Sequence, residues 1–204
     1  SKERPPLNIA VVGLGTGLTA GALGIIPEVT TIDVPEISPG VIVAQEYLRD
    51  GNFNLVGNDK IKILQMDAFR FFSDRKGYYD IIVSDPTNPW VVGVENLFTE
   101  EFYHQAFGSL SESGIFAQWF HIYDMGMNNF LKIVGNLKSV FPELHCYFTL
   151  GGDVVFLGSK KKNQFLASSL HKLSDVFYEN LKIININSAR YLPLLEIFND
   201  SDFE

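Results

Sequence analysis

The stretch Asn8–Thr19, NIAVVGLGTGLT, decides how this chain reads. A short apolar run, Ile9–Val12, stops at three glycines spaced G-x-G-x-G, and a helix-compatible segment, Leu18–Leu23, follows. Strand, tight turn and helix in that order suit a ligand cradle. Glycine accepts positive φ and lets backbone N–H groups come close to a ligand, and the helix N-terminus behind the turn adds partial positive charge. The triplet alone also fits a plain structural turn, and spacing sharpens it. The next strand candidate, Val29–Val34, leads to Glu36, which stands 19 residues past Gly17. A carboxylate about 20 residues on, at the end of the second strand, is where a nucleotide-type ligand has its ribose hydroxyls bound. The triplet departs from G-x-G-x-x-G because Leu18 follows Gly17, which favours an S-adenosyl-type cofactor over NAD.

Outward from that stretch, strand and helix signals alternate. Ser38 suits an N-cap with Pro39 in the first turn, and Val41, Ile42, Ala44 and Leu48 recur at helical spacing until Gly51-Asn52 ends the segment. Ile61–Leu64 reads as a third strand delivering Asp67, Ala68–Phe72 as a short helix, and Tyr79–Ser84 as a fourth strand delivering Asp85. Thr99 caps a helix through Leu110, Ser113-Gly114 turns into the strand Ile115–Trp119, and Met125–Val140 reads as a long amphipathic helix. Leu144–Leu150 and Val154–Gly158 read as paired strands around Gly151-Gly152-Asp153. This alternation predicts an α/β fold with a mainly parallel, doubly wound sheet and an antiparallel hairpin at one edge. Residues 1–160 are expected to form the catalytic domain. Residues 161–204, with a helix near Phe165–Leu173, are expected to pack on it as an extension.

Composition narrows the function. A length of 204 residues suits one α/β domain, and a hydrophobic fraction of 46% is normal for a globular core. The net charge of −8 argues against a nucleic-acid surface, and the basic run Lys160–Lys162 reads as a solvated turn. One cysteine, Cys146, excludes an internal disulfide and fits a reducing, cytoplasmic setting. Four histidines and one cysteine make no metal-ligand pattern, so no metal is expected. No G-x-S-x-G hydrolase elbow, signal peptide or bilayer-length apolar stretch is present in this segment. SKERPPL leads almost directly into the first strand, which suggests a domain of a longer protein.

Ligands bind doubly wound sheets outside the carboxyl ends of the strands, and the glycine turn, Glu36, Asp67, Asp85 and Gln118 all fall there. In Val83–Trp90, VSDPTNPW, two prolines rigidify a loop past a strand, and Asp85 stands at the strand end. A carboxylate there can orient an attacking amine or take its proton, a reading favoured over loop capping. Trp90 reads equally as a wall for an apolar or cationic group and as core. Asp67 suits either the adenine amino group or the N-cap of the helix at Ala68–Phe72, and both roles are compatible. His121 reads as a general base or, more often for a histidine beside aromatics, as structural. Tyr123, Tyr147 and Phe148 read as core before pocket wall.

VVGLGTG, PEVTTIDVPEISP, QMDAFRFF, YYDIIVSDPTNPW, NLFTEEFY and SGIFAQW, in that order from about Ile9 to Gly158, resemble the spermidine synthase (polyamine aminopropyltransferase) family. They look most like its divergent branch, whose members are often joined to membrane segments. The resemblance implies the Rossmann-like fold of S-adenosylmethionine-dependent methyltransferases and transfer of an aminopropyl group from decarboxylated S-adenosylmethionine to an amine. Carried over by position, Gly13, Leu14, Gly15, Thr16, Gly17, Glu36, Ile37, Asp67 and Ala68 hold the cofactor, Glu36 at the ribose and Asp67 with Ala68 at the adenine. Asp85 is the base, and Asn88, Trp90 and Gln118 meet the small-molecule amine. Three departures stand out. Thr16 occupies the place of an aspartate that balances the aminopropyl amine, and Asn88 that of an aspartate that holds the far ammonium. The family's N-terminal β-domain, which supplies part of the amine pocket and much of the oligomer contact, has no counterpart ahead of Ile9, while a homodimer stays open. Two alternatives stay beside this reading: an S-adenosylmethionine-dependent methyltransferase, and a non-catalytic adenosyl-binding domain of a larger protein.

Overall fold

The computed structural model describes residues 6–86, 93–122, 125–149, 152–162 and 193–203. Strand β1 (Leu7–Val12) runs into helix α1 (Leu18–Gly24), β2 (Val29–Glu36) into α2 (Pro39–Ala44), and β3 (Ile61–Gln65) into α3 (Ala68–Phe72). Then come β4 (Tyr79–Ser84), α4 (Glu100–Ser109), β5 (Leu110–His121), α5 (Met127–Val140), β6 (Glu143–Thr149), β7 (Asp153–Ser159) and β8 (Glu196–Phe198). The eight strands form one sheet in the order β3-β2-β1-β4-β5-β7-β6-β8. β1 to β5 are parallel, and β5-β7, β7-β6 and β6-β8 are antiparallel. The doubly wound, mostly parallel sheet with antiparallel C-terminal strands is therefore the architecture that the alternation predicts.

Period-two alternation explains why the sheet is buried on both faces. In β1, Ile9 and Val11 pack with Ile32, Val34 and Leu55 on the α1 side, while Ala10 and Val12 face a larger cluster on the α3–α5 side. That second cluster is aromatic: Phe116 and Phe141 stack at 5.1 Å between ring centroids, and Phe120 and Phe156 at 5.5 Å. Among the described residues no helix is long and apolar enough to cross a membrane.

Three local differences from the sequence reading have physical reasons. The helix after Ser38 is α only to Ala44 and tightens into a 3₁₀ turn, Gln45–Tyr47, where the Gln45 side chain folds in to bond backbone carbonyls. Ser113-Gly114 is not a turn; the strand runs unbroken from Leu110, with an irregularity that opposes Tyr79 to Leu110 and Ile81 to Ile115. A Cβ on Gly114 would lie 2.9 Å from the Tyr79 carbonyl oxygen, so the residue marks close backbone approach there. The hairpin is not outermost, because β7 lies inside β6 and β8 pairs beyond it through Cys146 and Tyr147. A three-residue strand carries too little periodicity to be read from sequence. The expected helix near Phe165–Leu173 and Tyr123 lie outside the described residues.

Candidate functional site

The carboxyl ends of β1, β2, β4 and β5 and the start of α3 converge on one edge of the sheet. The glycine turn follows β1, and its first residue is pinned to the next strand: Gly13 N donates to the Pro35 carbonyl oxygen at 3.1 Å. Gly13 has φ +85°, and a Cβ there would stand 3.3 Å from the Asp85 carbonyl oxygen, so both the conformation and the approach of the β4 loop call for glycine. Glu36, ending β2 and 8% exposed, binds this turn directly. Its Oε2 accepts from Leu14 N at 2.9 Å and its Oε1 from Ser38 N at 2.7 Å. A carboxylate offers about four lone-pair sites, so each oxygen keeps capacity for a ligand hydroxyl.

Two residues that the sequence reading missed brace the turn from outside. Gln45, fully buried, donates through Nε2 to the carbonyl oxygens of Gly15 at 2.9 Å and Val41 at 3.0 Å. Its Oε1 accepts from Asn52 Nδ2 at 3.0 Å, and Asn52 Nδ2 also donates to the Thr16 carbonyl oxygen at 3.2 Å. The only signal for them in the sequence is a pair of amides in a stretch whose apolar residues follow a helical period. Gly17, with φ +79°, sits against this brace: a Cβ would fall 2.4 Å from Gln45 Oε1 and 2.6 Å from Leu55 Cδ2.

Asp67 caps α3 through Oδ1, which accepts from Phe69 N at 2.9 Å and Arg70 N at 3.2 Å. Oδ2 is left without a hydrogen-bond partner among the described residues, so capping and a ligand contact are compatible. Asp85 follows β4; its N donates to the Val12 carbonyl oxygen at 3.2 Å and its Oδ2 accepts from Thr19 Oγ1 at 2.6 Å. The hydroxyl of α1 thus orients the carboxylate.

Two cavities open here. One, of about 430 Å³, is lined by Gly13, Gly15, Glu36, Ile37, Asp67, Ala68 and Asp85, with Val41, Met66, Phe69 and Leu97 as apolar walls. The other, of about 290 Å³, is lined by Leu14, Gly15, Thr16, Leu18, Thr19, Asp85, Pro86, Trp119 and His121. Gly15, Asp85 and Pro86 line both. A larger depression of about 700 Å³ between α3 and α4, lined by Phe72, Lys76, Glu100 and His104 among others, lies away from the strand ends.

Nine of the expected residues therefore line the paired cavities: Gly13, Leu14, Gly15, Thr16, Glu36, Ile37, Asp67, Ala68 and Asp85. Gly17 and Gln118 line neither. Gln118 is fully buried opposite Ser84, and its Nε2 donates to the carbonyl oxygens of Ser84 at 3.3 Å and Trp119 at 3.0 Å. Gln118 Oε1 and Ser84 Oγ have no hydrogen-bond partner among the described residues. Asn88 and Trp90 lie outside the described residues. Among the described residues no group of three or more His, Cys, Asp or Glu is placed to hold a metal ion. A cleft with apolar walls, three carboxylates and a glycine turn has the chemistry to take an adenosyl group, and the adjoining cavity has room for the chain attached to it.

Residues 2–165 match the model of the spermine/spermidine synthase domain. A polyamine aminopropyltransferase of Alkaliphilus metalliredigens is 27% identical over 197 residues, covering 93% of this chain and 66% of that protein. The chain thus spans just under two thirds of that curated relative's length. A spermidine synthase bound to the transition-state analogue AdoDATO superposes with a TM-score of 0.72 at 22% identity, covering 87% of this chain and 70% of the other. Human methyltransferase-like protein 13 in complex with SAH superposes with a TM-score of 0.67 at 22% identity, covering 87% and 82%. At these identities the two structures show the fold.

Proposed function

This chain belongs to the spermine/spermidine synthase family, and on that premise we propose that it transfers an aminopropyl group from decarboxylated S-adenosylmethionine to a small-molecule amine. One observation carries the reading: Asp85 lines both cavities. A reacting carbon bound between the adenosyl cleft and the adjoining cavity lies beside that carboxylate.

The residue roles in this reading are those the resemblance implies, and the geometry supports them. Glu36 takes the ribose hydroxyls on the lone pairs that its two backbone bonds leave. Asp67 Oδ2 and the Ala68 backbone meet the adenine edge, with Ile37 and Phe69 against its faces. The bound sulfonium supplies an activated leaving group, so the protein's task is alignment of a neutral amine. An amine is mostly protonated at neutral pH, and Asp85, oriented by Thr19, receives its N–H and helps draw off the proton. Trp119 forms an aromatic wall of the amine side. Asn88 and Trp90 are proposed to meet the amine as well, whereas Gln118, which lines neither cavity, is not.

A second reading, methyl transfer from S-adenosylmethionine, is favoured by Thr16. This neutral, exposed residue lines the adjoining cavity at the position where the resemblance expects an acid, so a methionine carboxylate meets no like charge from it. Titration calorimetry with S-adenosylmethionine, its decarboxylated form and methylthioadenosine separates the readings. Preference for the decarboxylated form, followed by turnover in an amine panel, supports aminopropyl transfer. Preference for S-adenosylmethionine moves the assignment to methyl transfer, and no binding of any of the three refutes both in favour of a non-catalytic domain.

A further inference from the structure

The cavity of about 290 Å³ has a lopsided lining. Among the described residues it carries one carboxylate, Asp85, and one other ionisable group, the imidazole of His121. The walls around them are Leu14, Leu18, Pro86 and Trp119. Other carboxylates at this end of the sheet are engaged elsewhere. Glu36 and Asp67 line the neighbouring cavity and accept from backbone N–H groups. Asp153 bonds His121 Nδ1 and is not part of the lining. Asp85 itself already takes the Thr19 hydroxyl on Oδ2 at 2.6 Å. The apolar walls, by contrast, are open to a ligand. Leu18 starts α1, whose first turn holds no acid, and is 51% exposed. Trp119, on β5, is partly exposed beside the His121 ring, with centroids 4.1 Å apart.

A transferred aminopropyl chain brings an ammonium of its own into this cavity, and the attacking nitrogen needs Asp85. A second ammonium on the acceptor finds no further carboxylate among the described lining residues. It would give up water against Leu18, Pro86 and Trp119 with no charged partner in return, whereas an apolar group gains from the same walls. We propose that the acceptor is a primary monoamine with an apolar body, its nitrogen at Asp85 and its body against Leu18 and Trp119, rather than a diamine. This rests on the aminopropyl-transfer reading above. The amine lone pair forms the new C–N bond to the propyl carbon, and the C–S bond breaks with its electron pair staying on sulfur. Methylthioadenosine leaves, and the proton passes from nitrogen to Asp85 and on to water. The product is an N-substituted 1,3-diaminopropane. Leu18 is then a specificity residue, because an acid at that position in the same cavity supplies the partner that a diamine lacks.

Matched amines test this by binding and by turnover. Hexylamine and cadaverine have equal numbers of heavy atoms, as do pentylamine and putrescine, so each pair exchanges a methyl group for an ammonium. Titrated into protein saturated with methylthioadenosine, the monoamine of each pair is expected to bind about 10-fold more tightly or better. With decarboxylated S-adenosylmethionine, kcat/KM is expected to favour it by a similar factor. Leu18→Asp is expected to reverse the preference, raising kcat/KM for cadaverine about 10-fold and lowering it for hexylamine. Leu18→Asn, neutral and of the same shape, is expected to lower hexylamine turnover without the gain for cadaverine. Thermal melting and methylthioadenosine titration show that both variants keep the fold and the adenosyl cleft. A diamine bound or turned over as well as its matched monoamine by the unmodified protein overturns the monoamine assignment and leaves the transfer reading intact. So does a preference that Leu18→Asp leaves unmoved. Turnover of neither class by protein that binds decarboxylated S-adenosylmethionine overturns the transfer reading and this assignment with it.

Discussion

Glu36→Gln separates structural from ligand-binding roles at the centre of the site. The carboxylate accepts from Leu14 N at 2.9 Å and Ser38 N at 2.7 Å while 8% exposed. Hydrogen bonds to a charged acceptor contribute about 1.5–3 kcal/mol each. Glutamine keeps one accepting oxygen and turns an amide N–H₂ toward the other backbone N–H, so one bond is lost and two donors face each other. The expected cost to the ligand-free protein is about 1.5–3 kcal/mol. For a chain of this length that lowers Tm by about 3–12 °C. One ribose hydroxyl also loses its charged partner, which weakens methylthioadenosine binding about 10- to 100-fold. Calorimetric melting without ligand and isothermal titration with methylthioadenosine read the two effects separately. An unchanged Tm without ligand refutes the argument that Glu36 ties the turn to β2. A lowered Tm with unchanged affinity refutes the ribose assignment.

Other perturbations have equally direct consequences. Gly17→Ala imposes φ +79° on an L-residue and places Cβ 2.4 Å from Gln45 Oε1, so thermal melting is expected to show a loss of about 2–5 kcal/mol. Gln45→Leu removes the donor to the Gly15 and Val41 carbonyls and the acceptor for Asn52. A loss of about 2–4 kcal/mol is expected by chemical denaturation, with a weaker adenosyl affinity that Gln45→Glu does not restore. Asp85→Asn keeps an oxygen for the Thr19 hydroxyl, so methylthioadenosine affinity is expected to hold while turnover with amines falls 100-fold or more. Burial pushes the Cys146 thiol up to about 12, so thiol reagents are expected to label it at pH 8 only as the protein unfolds. The same shift makes its contribution to stability full below pH 9.0 and lost as pH rises through about 12, which alkaline melting curves would show as a falling Tm.

The framework was legible because it rests on local rules. Ile9–Val12 alternates across two faces, Thr99 and Ser38 cap helices through their hydroxyls, and Ala68–Phe72 and Tyr79–Ser84 have the bounds that the pattern predicts. Asp67 had two readings, and its cap geometry shows why they are compatible, since Oδ1 takes both backbone donors. The boundaries that failed depend on distant contacts. The 3₁₀ turn at Gln45 answers to the glycine turn about 30 residues earlier, and β8 exists only against β6.

By itself, then, the sequence determined the order of elements, the place of the glycine turn and the carboxylates that end the strands, because strand period, cap chemistry and turn glycines act within a few residues. Tertiary structure alone decided which of those side chains share a cavity. Asp85 joins two cavities because β4 lies beside β1, and Gln118 is withdrawn opposite Ser84 by the pleat of β5. His121 is paired with Asp153, 32 positions on, because an antiparallel register carries no signature in either residue's own neighbourhood.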